Sequence, residues 1–284
     1  MAEEVTQEFW RWTESNWKNP DIDWRDAQIV TVGIDVGSVS SQSVIVTDGK
    51  IFAYGNMRTG SDSPNSARNA LTFALEATDM SEDRMDYCIG TGYGRVNVPF
   101  ADRTVTEIAC HARGANFIYG SEVRTVLDVG GQDIKAIQCD EKGKVTNFLM
   151  NDKCAAGTGR FLEVMAKALE VDIDNFGQFS NKADQPSKIS SLCTVFAESE
   201  VISLISMGEK RENIIAGIHE SIAARVEAMA NRTGLKAPIM MTGGVAKNIG
   251  VVQALEKKLG QLIEVSPHSQ LTGAIGAALL AQRA

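Results

Sequence analysis

From residue 29 onward, hydrophobic and polar positions follow the pattern of short β-strands joined by tight turns. One apolar run, Ile-Val-Thr-Val-Gly-Ile-Asp, begins at Ile29, and a second, Ser-Gln-Ser-Val-Ile-Val-Thr, follows a Gly-Ser turn. The Asp48-Gly49 pair before a third run, Lys-Ile-Phe-Ala-Tyr-Gly, is typical of a hairpin turn. We therefore predict a three-stranded meander at residues 29–55.

The same pattern returns later in the chain. Asp128 lies 93 positions after Asp35, and each aspartate is followed by Val-Gly, a further small residue, a strand and a glycine-containing turn. A repeat on this scale indicates two duplicated lobes rather than a solenoid.

Helical and strand patterns fill the remainder of the chain. Ser63-Pro64 supplies a helix N-cap and a proline at the first helical position. Apolar spacing predicts further helices at about 157–170, 194–207, 211–231, 245–258 and 270–283, and strands near 86–91, 238–242 and 261–265. The expected fold class is α/β, a duplicated two-lobe fold. We assign lobe I to residues 29–118, completed by 269–284, and lobe II to residues 119–268.

The segment before residue 29 differs in composition from the rest. It holds all four tryptophans of the chain, Trp10, Trp12, Trp17 and Trp24, among polar residues and before any strand-like run. We interpret residues 1–28 as an extension. It either docks aromatic anchors on a partner or forms an amphipathic helix on its own lobe.

Composition and charge narrow the function classes. A net charge of -8 argues against a nucleic-acid-binding protein, and no apolar run is long enough to span a membrane. The N-terminus lacks the pattern of a secretory signal, so we expect a cytoplasmic location and reduced cysteines. The five cysteines are then either core thiols or ligands.

The repeated Asp-Val-Gly turns have a chemical use. Glycines allow backbone N–H groups to approach a polyphosphate, and the aspartates can hold Mg²⁺ through water. A single such turn is more often structural. Here a third segment, Met-Thr-Gly-Gly-Val-Ala-Lys-Asn at 241–248, places two glycines between a predicted strand and a predicted helix, which suits an anion. Together the three segments predict a nucleotide clamp.

These segments resemble the nucleotide-binding superfamily of actin, sugar kinases and heat-shock chaperones, whose fold is actin-like and related to ribonuclease H. The resemblance implies that ATP and Mg²⁺ bind between the lobes. The implied ligand-binding residues are Asp35, Gly37, Ser38, Gln42, Gly130, Gly131, Lys135, Gly243, Gly244, Lys247 and Asn248. The implied catalytic residues are Asp128, Glu107 and Gln132.

The roles of Gln42 and Glu107 each have an alternative interpretation. Many relatives have Lys or Arg at the position of Gln42, so Lys135 or Mg²⁺ is expected to neutralise the phosphates instead. Glu107 lies on a segment that resembles the superfamily's interlobe helix, which places a polar residue near the attacking water. The alternative interpretation is that Glu107 is an exposed helical glutamate, which is more common. In that case His111, four residues on, is its surface partner.

Two cysteines stand before predicted amphipathic helices. Cys154 precedes a helix with Phe161 and Met165 on its apolar side, and Cys193 precedes a run in which Phe196 is expected to be buried. A helix N-terminus favours the thiolate that iron requires, although an isolated cysteine is usually a core residue. No Cys-x-x-Cys motif occurs, so one chain offers half of a four-thiolate shell. We interpret Cys88, Cys110 and Cys139 as structural.

The motifs Asn-Asp-Lys-Cys-Ala-Ala-Gly-Thr-Gly-Arg-Phe and Cys-Thr-Val-Phe-Ala-Glu-Ser-Glu-Val-Ile-Ser-Leu are similar to those of the ATPases that activate 2-hydroxyacyl-CoA dehydratases and benzoyl-CoA reductases. The resemblance covers residues 29–284 and implies that Cys154 and Cys193 hold half of a [4Fe–4S] cluster shared between two subunits. With the tryptophan-rich segment, the chain most resembles the branch that includes the D subunit of benzoyl-CoA reductase.

The function that this resemblance implies is ATP-driven electron transfer. A ferredoxin supplies the electron, a homologous ATPase subunit or a second copy shares the cluster, and acyl-CoA-binding iron–sulfur subunits receive the electron. Three alternatives stay open: an activator of a 2-hydroxyacyl-CoA dehydratase, a small-molecule kinase that uses an aspartate base and no cluster, and a chaperone-like or filament-forming ATPase.

Overall fold

Two mixed β-sheets, each flanked by helices, make up the part of the chain that the computed structural model describes, residues 14–190 and 193–283. The first sheet has the strand order β1-β4-β3-β2-β5-β6. Its strands are β1 (Ser15–Lys18), β2 (Val30–Val36), β3 (Ser40–Thr47), β4 (Lys50–Arg58), β5 (Tyr87–Thr91) and β6 (Arg103–Thr104). Every residue of β2 is buried, which fits its central position.

The second sheet has the order β11-β10-β7-β8-β9. Its strands are β7 (Thr125–Val129), β8 (Ile134–Cys139), β9 (Val145–Asn151), β10 (Ile239–Thr242) and β11 (Ile263–Val265). β7, β8 and β9 form an antiparallel meander, whereas β10 lies parallel to both β7 and β11. The carboxyl ends of β7 and β10 therefore lie at one edge of the sheet, where the loops after them meet.

The predicted repeat corresponds to two hairpins with matching register. Asp35 in β2 pairs with Gln42 in β3, and Asp128 in β7 pairs with Lys135 in β8. The duplicated α/β fold predicted from the sequence is confirmed. The lobe boundaries at residues 118 and 268 stay a prediction.

Helices cover both sheets and join them. They are α1 (Ser63–Glu76), α2 (Glu107–Tyr119), α3 (Gly159–Leu169), α4 (Phe176–Ser180), α5 (Thr194–Ser206), α6 (Arg211–Thr233), α7 (Ile249–Leu259) and α8 (Thr272–Ala281). α1 packs on β2, β3 and β4, and α8 packs on β2, β3 and β5. α2 packs along α8 and also touches β7, β8 and β10, so it lies between the two sheets. The N-cap of α1 is Asp62 rather than Ser63, because the Asp62 carboxylate accepts the hydrogen bond from the backbone N–H of Asn65.

The expectation that no strand precedes residue 29 is wrong for the described part of that segment. Ser15–Lys18 pairs antiparallel with β4 at the edge of the first sheet. Trp17 stacks on Tyr54, with ring centroids 5.8 Å apart, and the indole N–H of Trp24 donates to Asp79. This segment therefore folds onto its own lobe, as a strand rather than as the alternative amphipathic helix. Trp10 and Trp12 lie outside the described residues.

The apolar side of α5 also differs from the expectation. Only Ala197 and Val201 are buried, whereas Phe196 is 67% exposed. α5 lies on the surface and packs mainly against α3, so its first turn points away from the core. Among the described helices, no apolar stretch is long enough to cross a membrane.

Candidate functional site

A cleft of about 560 Å³ lies between the two sheets, at the turns that follow β2 and β7. Its size is in the usual range for a small-molecule site. The turns approach each other closely: a side chain added at Gly131 would lie 2.3 Å from Val39, so only glycine fits there. Predicted residues that line the cleft are Asp35, Gly37, Ser38, Gln42, Glu107, Asp128, Gly130, Gly131, Gln132, Lys135, Gly243, Gly244, Lys247 and Asn248.

Lys135 stands at the centre of an acidic cluster in the cleft. Its ammonium donates to Asp128 at 3.0 Å and to Asp133 at 2.6 Å, and lies 3.6 Å from Glu107. Burial opposes the charged lysine, but these three carboxylates overcome it and raise the pKa of Lys135. Lys135 is therefore a permanent cation that is already engaged by protein carboxylates.

The two repeated aspartates have opposite pKa shifts. Burial raises the pKa of Asp35 to about 7, and the charges of Glu107 and Asp128 add to that effect. Burial would also raise the pKa of Asp128, but His111, Lys135 and hydrogen bonds from Lys135 and Thr242 lower it to about 2. Asp128 is thus anionic at neutral pH, while Asp35 lacks a comparable cation.

Glu107 is the third carboxylate that faces Lys135. It begins α2, where Thr106 caps the helix. Burial raises its pKa, as do Asp133 and Asp128, although Lys135 acts against them. Glu107 is therefore a cleft residue and not the exposed helical glutamate of the alternative interpretation.

His111 is not the surface partner of Glu107. The residue is 6% exposed, and its ring lies between the two repeated aspartates. Nδ1 is 3.1 Å from the Thr242 hydroxyl and 3.4 Å from Asp128, and Nε2 is 4.0 Å from Asp35. Burial lowers the pKa of His111, while the charge of Asp128 acts in the opposite direction.

The remaining polar positions of the cleft are held by local hydrogen bonds. The buried Gln42 amide donates to Ser40 at 2.7 Å and to Asn56 at 3.0 Å. The Asn248 side chain caps α7 by accepting from the N–H groups of Gly250 and Val251. Lys247 is half-buried, and burial lowers its pKa. Gln132 is exposed at the rim of the cleft.

The donor set of the cleft fits a hydrated Mg²⁺. Oxygen ligands from a few carboxylates, with the rest supplied by water and phosphate, are what this ion prefers. Asp35 and Asp128 come from different sheets and face the same gap, and no hydrogen bond within the described residues reaches the Asp35 carboxylate oxygens. Mg²⁺ would supply the cation that Asp35 lacks.

The five cysteines divide into two groups by exposure. Cys88, Cys110 and Cys139 are buried, as predicted, and burial raises the pKa of each thiol to about 11 or 12. Cys193 is exposed and is the N-cap residue of α5. Cys154 is half-buried in a loop and precedes α3, which begins at Gly159, close to the predicted start of that helix. The two predicted ligands are thus the accessible thiols, and two thiols fit half of a cluster shell.

The sequence prediction missed Asp133, His111 and Thr242. Asp133 precedes Lys135 by two positions, so both project from the same side of the hairpin. His111 follows Glu107 by four positions, a spacing that puts both on one helix face. That spacing could have placed both residues in the cleft. Thr242 had no local signal, because its role depends on β10 pairing with β7.

The two sheets, the repeated Asp-Val-Gly hairpins and the cleft between them have the architecture of the actin-like ATPase and sugar-kinase fold. A ROK-family glucokinase from Streptomyces griseus shares this fold with a TM-score of 0.57 at 13% identity, covering 90% of this chain and 100% of that one. The chain belongs to the BadF/BadG/BcrA/BcrD ATPase family, whose sequence profile matches residues 32–281.

Relatives within the family are much more similar in sequence to this chain than the glucokinase is. The activator of lactoyl-CoA dehydratase from Anaerotignum propionicum is 50% identical over 255 residues, covering 89% of this chain and 98% of that protein. The solved structure of the activator of 2-hydroxyisocaproyl-CoA dehydratase from Clostridium difficile, with bound ADPNP, is also similar. The TM-score is 0.85 and the identity 46%, and the match covers 89% of this chain and 94% of that one.

The family prediction is confirmed, but the expected branch needs correction. The D subunit of benzoyl-CoA reductase from Thauera aromatica is 35% identical over 261 residues, covering 88% of this chain and 92% of that protein. The dehydratase activators are more similar to this chain than the reductase protein is. The alternative of a dehydratase activator is therefore better supported than the benzoyl-CoA reductase prediction.

Proposed function

We propose that this chain is the ATP-hydrolysing activator of a 2-hydroxyacyl-CoA dehydratase. The observation that carries the proposal is its 46–50% identity, over nearly the whole length, with three activators of such dehydratases. The cleft and the exposure of the cysteines support the same function.

The cleft would bind Mg-ATP between the two hairpins. Backbone N–H groups of the Gly37 and Gly130–Gly131 turns would face the phosphates, and the loop at Gly243–Gly244 would face the nucleoside side. Asp35 and Asp128 would hold Mg²⁺ through water, one from each sheet, and Glu107 and Gln132 would orient the attacking water. Because Mg-ATP contacts both lobes, it binds one lobe arrangement better than another, which is the requirement for coupling hydrolysis to movement.

Cys154 and Cys193 would ligate one [4Fe–4S] cluster together with the same two residues of a second copy or of a homologous subunit. The cluster supplies one-electron transfer chemistry. The residues of this chain supply two accessible thiols, one of them at the N-cap of α5. A ferredoxin-type donor and acyl-CoA-binding iron–sulfur subunits complete the proposed electron path.

Serine substitution of the cysteines tests the proposal. Cys154→Ser and Cys193→Ser should each lower the iron and sulfide content of anaerobically purified protein, and the double variant should lose most of both. Cys139→Ser is the matched control, because its thiol is buried and only donates to the Val123 carbonyl. ATP binding should persist in all variants. A double variant that keeps a full cluster by Mössbauer or EPR spectroscopy would exclude these two cysteines as its ligands.

A second candidate acceptor is a benzoyl-CoA reductase. The observation in its favour is the 35% identity with the D subunit of that enzyme. ATP-dependent turnover should be compared in reconstitutions with a 2-hydroxyacyl-CoA dehydratase component and with benzoyl-CoA-reducing subunits. Activity only in the second reconstitution would reverse the assignment.

A further inference from the structure

His111 occupies a position between the lobes for which the hydrolytic scheme above has no use. It projects from α2, which lies between the two sheets, and its ring separates the aspartates of the two hairpins. A buried imidazole in contact with polar groups of the cleft is costly unless its nitrogens are used. Its contacts therefore indicate what it does.

On the side of the second sheet, His111 takes part in a chain of hydrogen bonds that reaches both oxygens of Asp128. The Thr242 hydroxyl donates to Asp128 Oδ1 at 2.9 Å, so its oxygen is free to accept from His111 Nδ1 at 3.1 Å. The other carboxylate oxygen of Asp128, Oδ2, accepts from Lys135 at 3.0 Å. Both oxygens of Asp128 are therefore held, and His111 fixes the orientation of the hydroxyl that holds one of them.

On the side of the first sheet, His111 makes no hydrogen bond to Asp35. Nε2 is 4.0 Å from Asp35 Oδ2, which exceeds hydrogen-bond length. A side chain added at Gly273 of α8 would lie 2.0 Å from Asp35 Oδ2 and 3.0 Å from His111 Nε2. β2, α2 and α8 thus meet at this gap, on the side of lobe I. A movement of lobe II against lobe I would change the distances from His111 to Thr242 and Asp128, which lie on strands of the second sheet.

We propose that His111 is a positioning residue that orients Asp128 through Thr242 and sets the spacing between Asp128 and Asp35 across the cleft. The inference rests on the proposed ATPase function. It predicts a role in turnover rather than in nucleotide affinity, because His111 acts on the carboxylates that would organise Mg²⁺ and water. Misplacing a reacting group by about 1 Å can cost on the order of 100-fold in rate.

The two ring nitrogens can be tested separately. Asn at position 111 can place its amide N–H near the position of Nδ1 and keep the donor to Thr242, whereas Gln reaches toward the position of Nε2. His111→Ala and His111→Gln should lower kcat by roughly 10- to 100-fold, with KM for Mg-ATP changed by less than about threefold. His111→Asn should recover most of the wild-type kcat.

A double-mutant cycle adds a readout that a merely structural residue would not change. Thr242→Val keeps the shape of the side chain and removes the hydroxyl between His111 and Asp128. If the two act as one unit, kcat of the Thr242→Val, His111→Ala double variant should resemble that of His111→Ala alone. His219→Asn, a change at a buried histidine of α6 outside the cleft, is the control and should leave kcat unchanged.

Three results would overturn the inference: unchanged kcat in His111→Ala, equal kcat in the Ala and Asn variants, or fully additive effects in the cycle. Failure of the proposed function is distinguishable from these. In that case the wild-type protein itself would show no Mg-ATP hydrolysis.

Discussion

The two hairpins of the molecule share a sequence pattern and a register but differ in charge. In the first, the cross-strand neighbour of Asp35 is the neutral Gln42, and in the second the neighbour of Asp128 is Lys135. The backbone is duplicated, while the residue opposite each aspartate is not. Burial raises the pKa of Asp35 to about 7, whereas His111, Lys135 and Thr242 lower that of Asp128 to about 2, so Lys135 is one of the groups that separate the two aspartates.

The carboxylate of the second hairpin is held in place by the protein, whereas the carboxylate of the first hairpin is not. Asp128 has hydrogen bonds on both oxygens, so its orientation is fixed before any ligand arrives. Asp35 has no such support, and under the proposed function Mg²⁺ would supply its cation. Preorganised charge costs no reorganisation during a reaction, so under the proposed function we expect the second hairpin to supply the larger share of transition-state stabilisation.

The largest effect that we expect is a loss of stability when Lys135 of the second hairpin is replaced by glutamine, the residue at the matching position of the first hairpin. Lys135→Gln removes the cation shared by Asp128, Asp133 and Glu107 and leaves buried carboxylates without it. Breaking a buried ion pair in this way typically lowers the free energy of unfolding by about 3–5 kcal/mol. Urea denaturation of the Mg²⁺-free protein measures this.

Lys50→Gln is the control for that change. Lys50 is also a strand lysine, in β4, but it is exposed, and its replacement should alter stability by less than about 0.5 kcal/mol. A Lys135→Gln variant as stable as this control would show that the carboxylates do not depend on Lys135.

The next effect concerns activity. Asp128→Asn keeps the side-chain shape but removes the charge that Thr242, His111 and Lys135 orient. Loss of one preorganised electrostatic group costs roughly 100- to 1,000-fold in kcat, and we expect this for Mg-ATP hydrolysis. Asp83→Asn, at an exposed position outside the cleft, should have wild-type turnover. Unchanged turnover of Asp128→Asn at saturating Mg-ATP would remove this residue from the catalytic site.

Much of this fold could be predicted because its signals are local. Alternation along the strands after Ile29 and helical spacing after Cys193 each lie within one short stretch of chain. β1 could not be predicted in this way, because Ser15–Lys18 becomes a strand only by pairing with β4, about 40 positions later. The same limit applies to Phe196, whose exposure depends on where α5 packs.

The candidate site also combines residues that have a local sequence signal with residues that only the tertiary structure brings together. Asp35 and Asp128 were found from their repeated motif, and the accessible cysteines from their motifs. His111 was assigned to the surface because helix spacing gives only its neighbours on α2. Its true neighbours, Thr242 and Asp128, lie on two parallel strands of the second sheet, so that only the assembled fold brings them to the ring.

The smallest of the three effects is a pH dependence that belongs to the first hairpin alone. Because the pKa of Asp35 is raised to about 7 in the folded protein from about 3.8 in the unfolded chain, the folded state binds the Asp35 proton more tightly. Its contribution to stability is therefore fully present at low pH and is lost as pH rises through about 7.

Each pKa unit corresponds to about 1.4 kcal/mol, so between pH 5 and pH 8 the Mg²⁺-free wild-type protein should lose about 2–3 kcal/mol more stability than Asp35→Asn, which has no proton to release at that position. Urea denaturation of both proteins at the two pH values gives the difference directly, with other titrating groups common to both. Saturating Mg-ATP should reduce it, because bound Mg²⁺ would stabilise the charged carboxylate. Equal pH dependence in the two proteins would mean that Asp35 is already ionised without its ligand, and that the two hairpins do not differ in the way proposed.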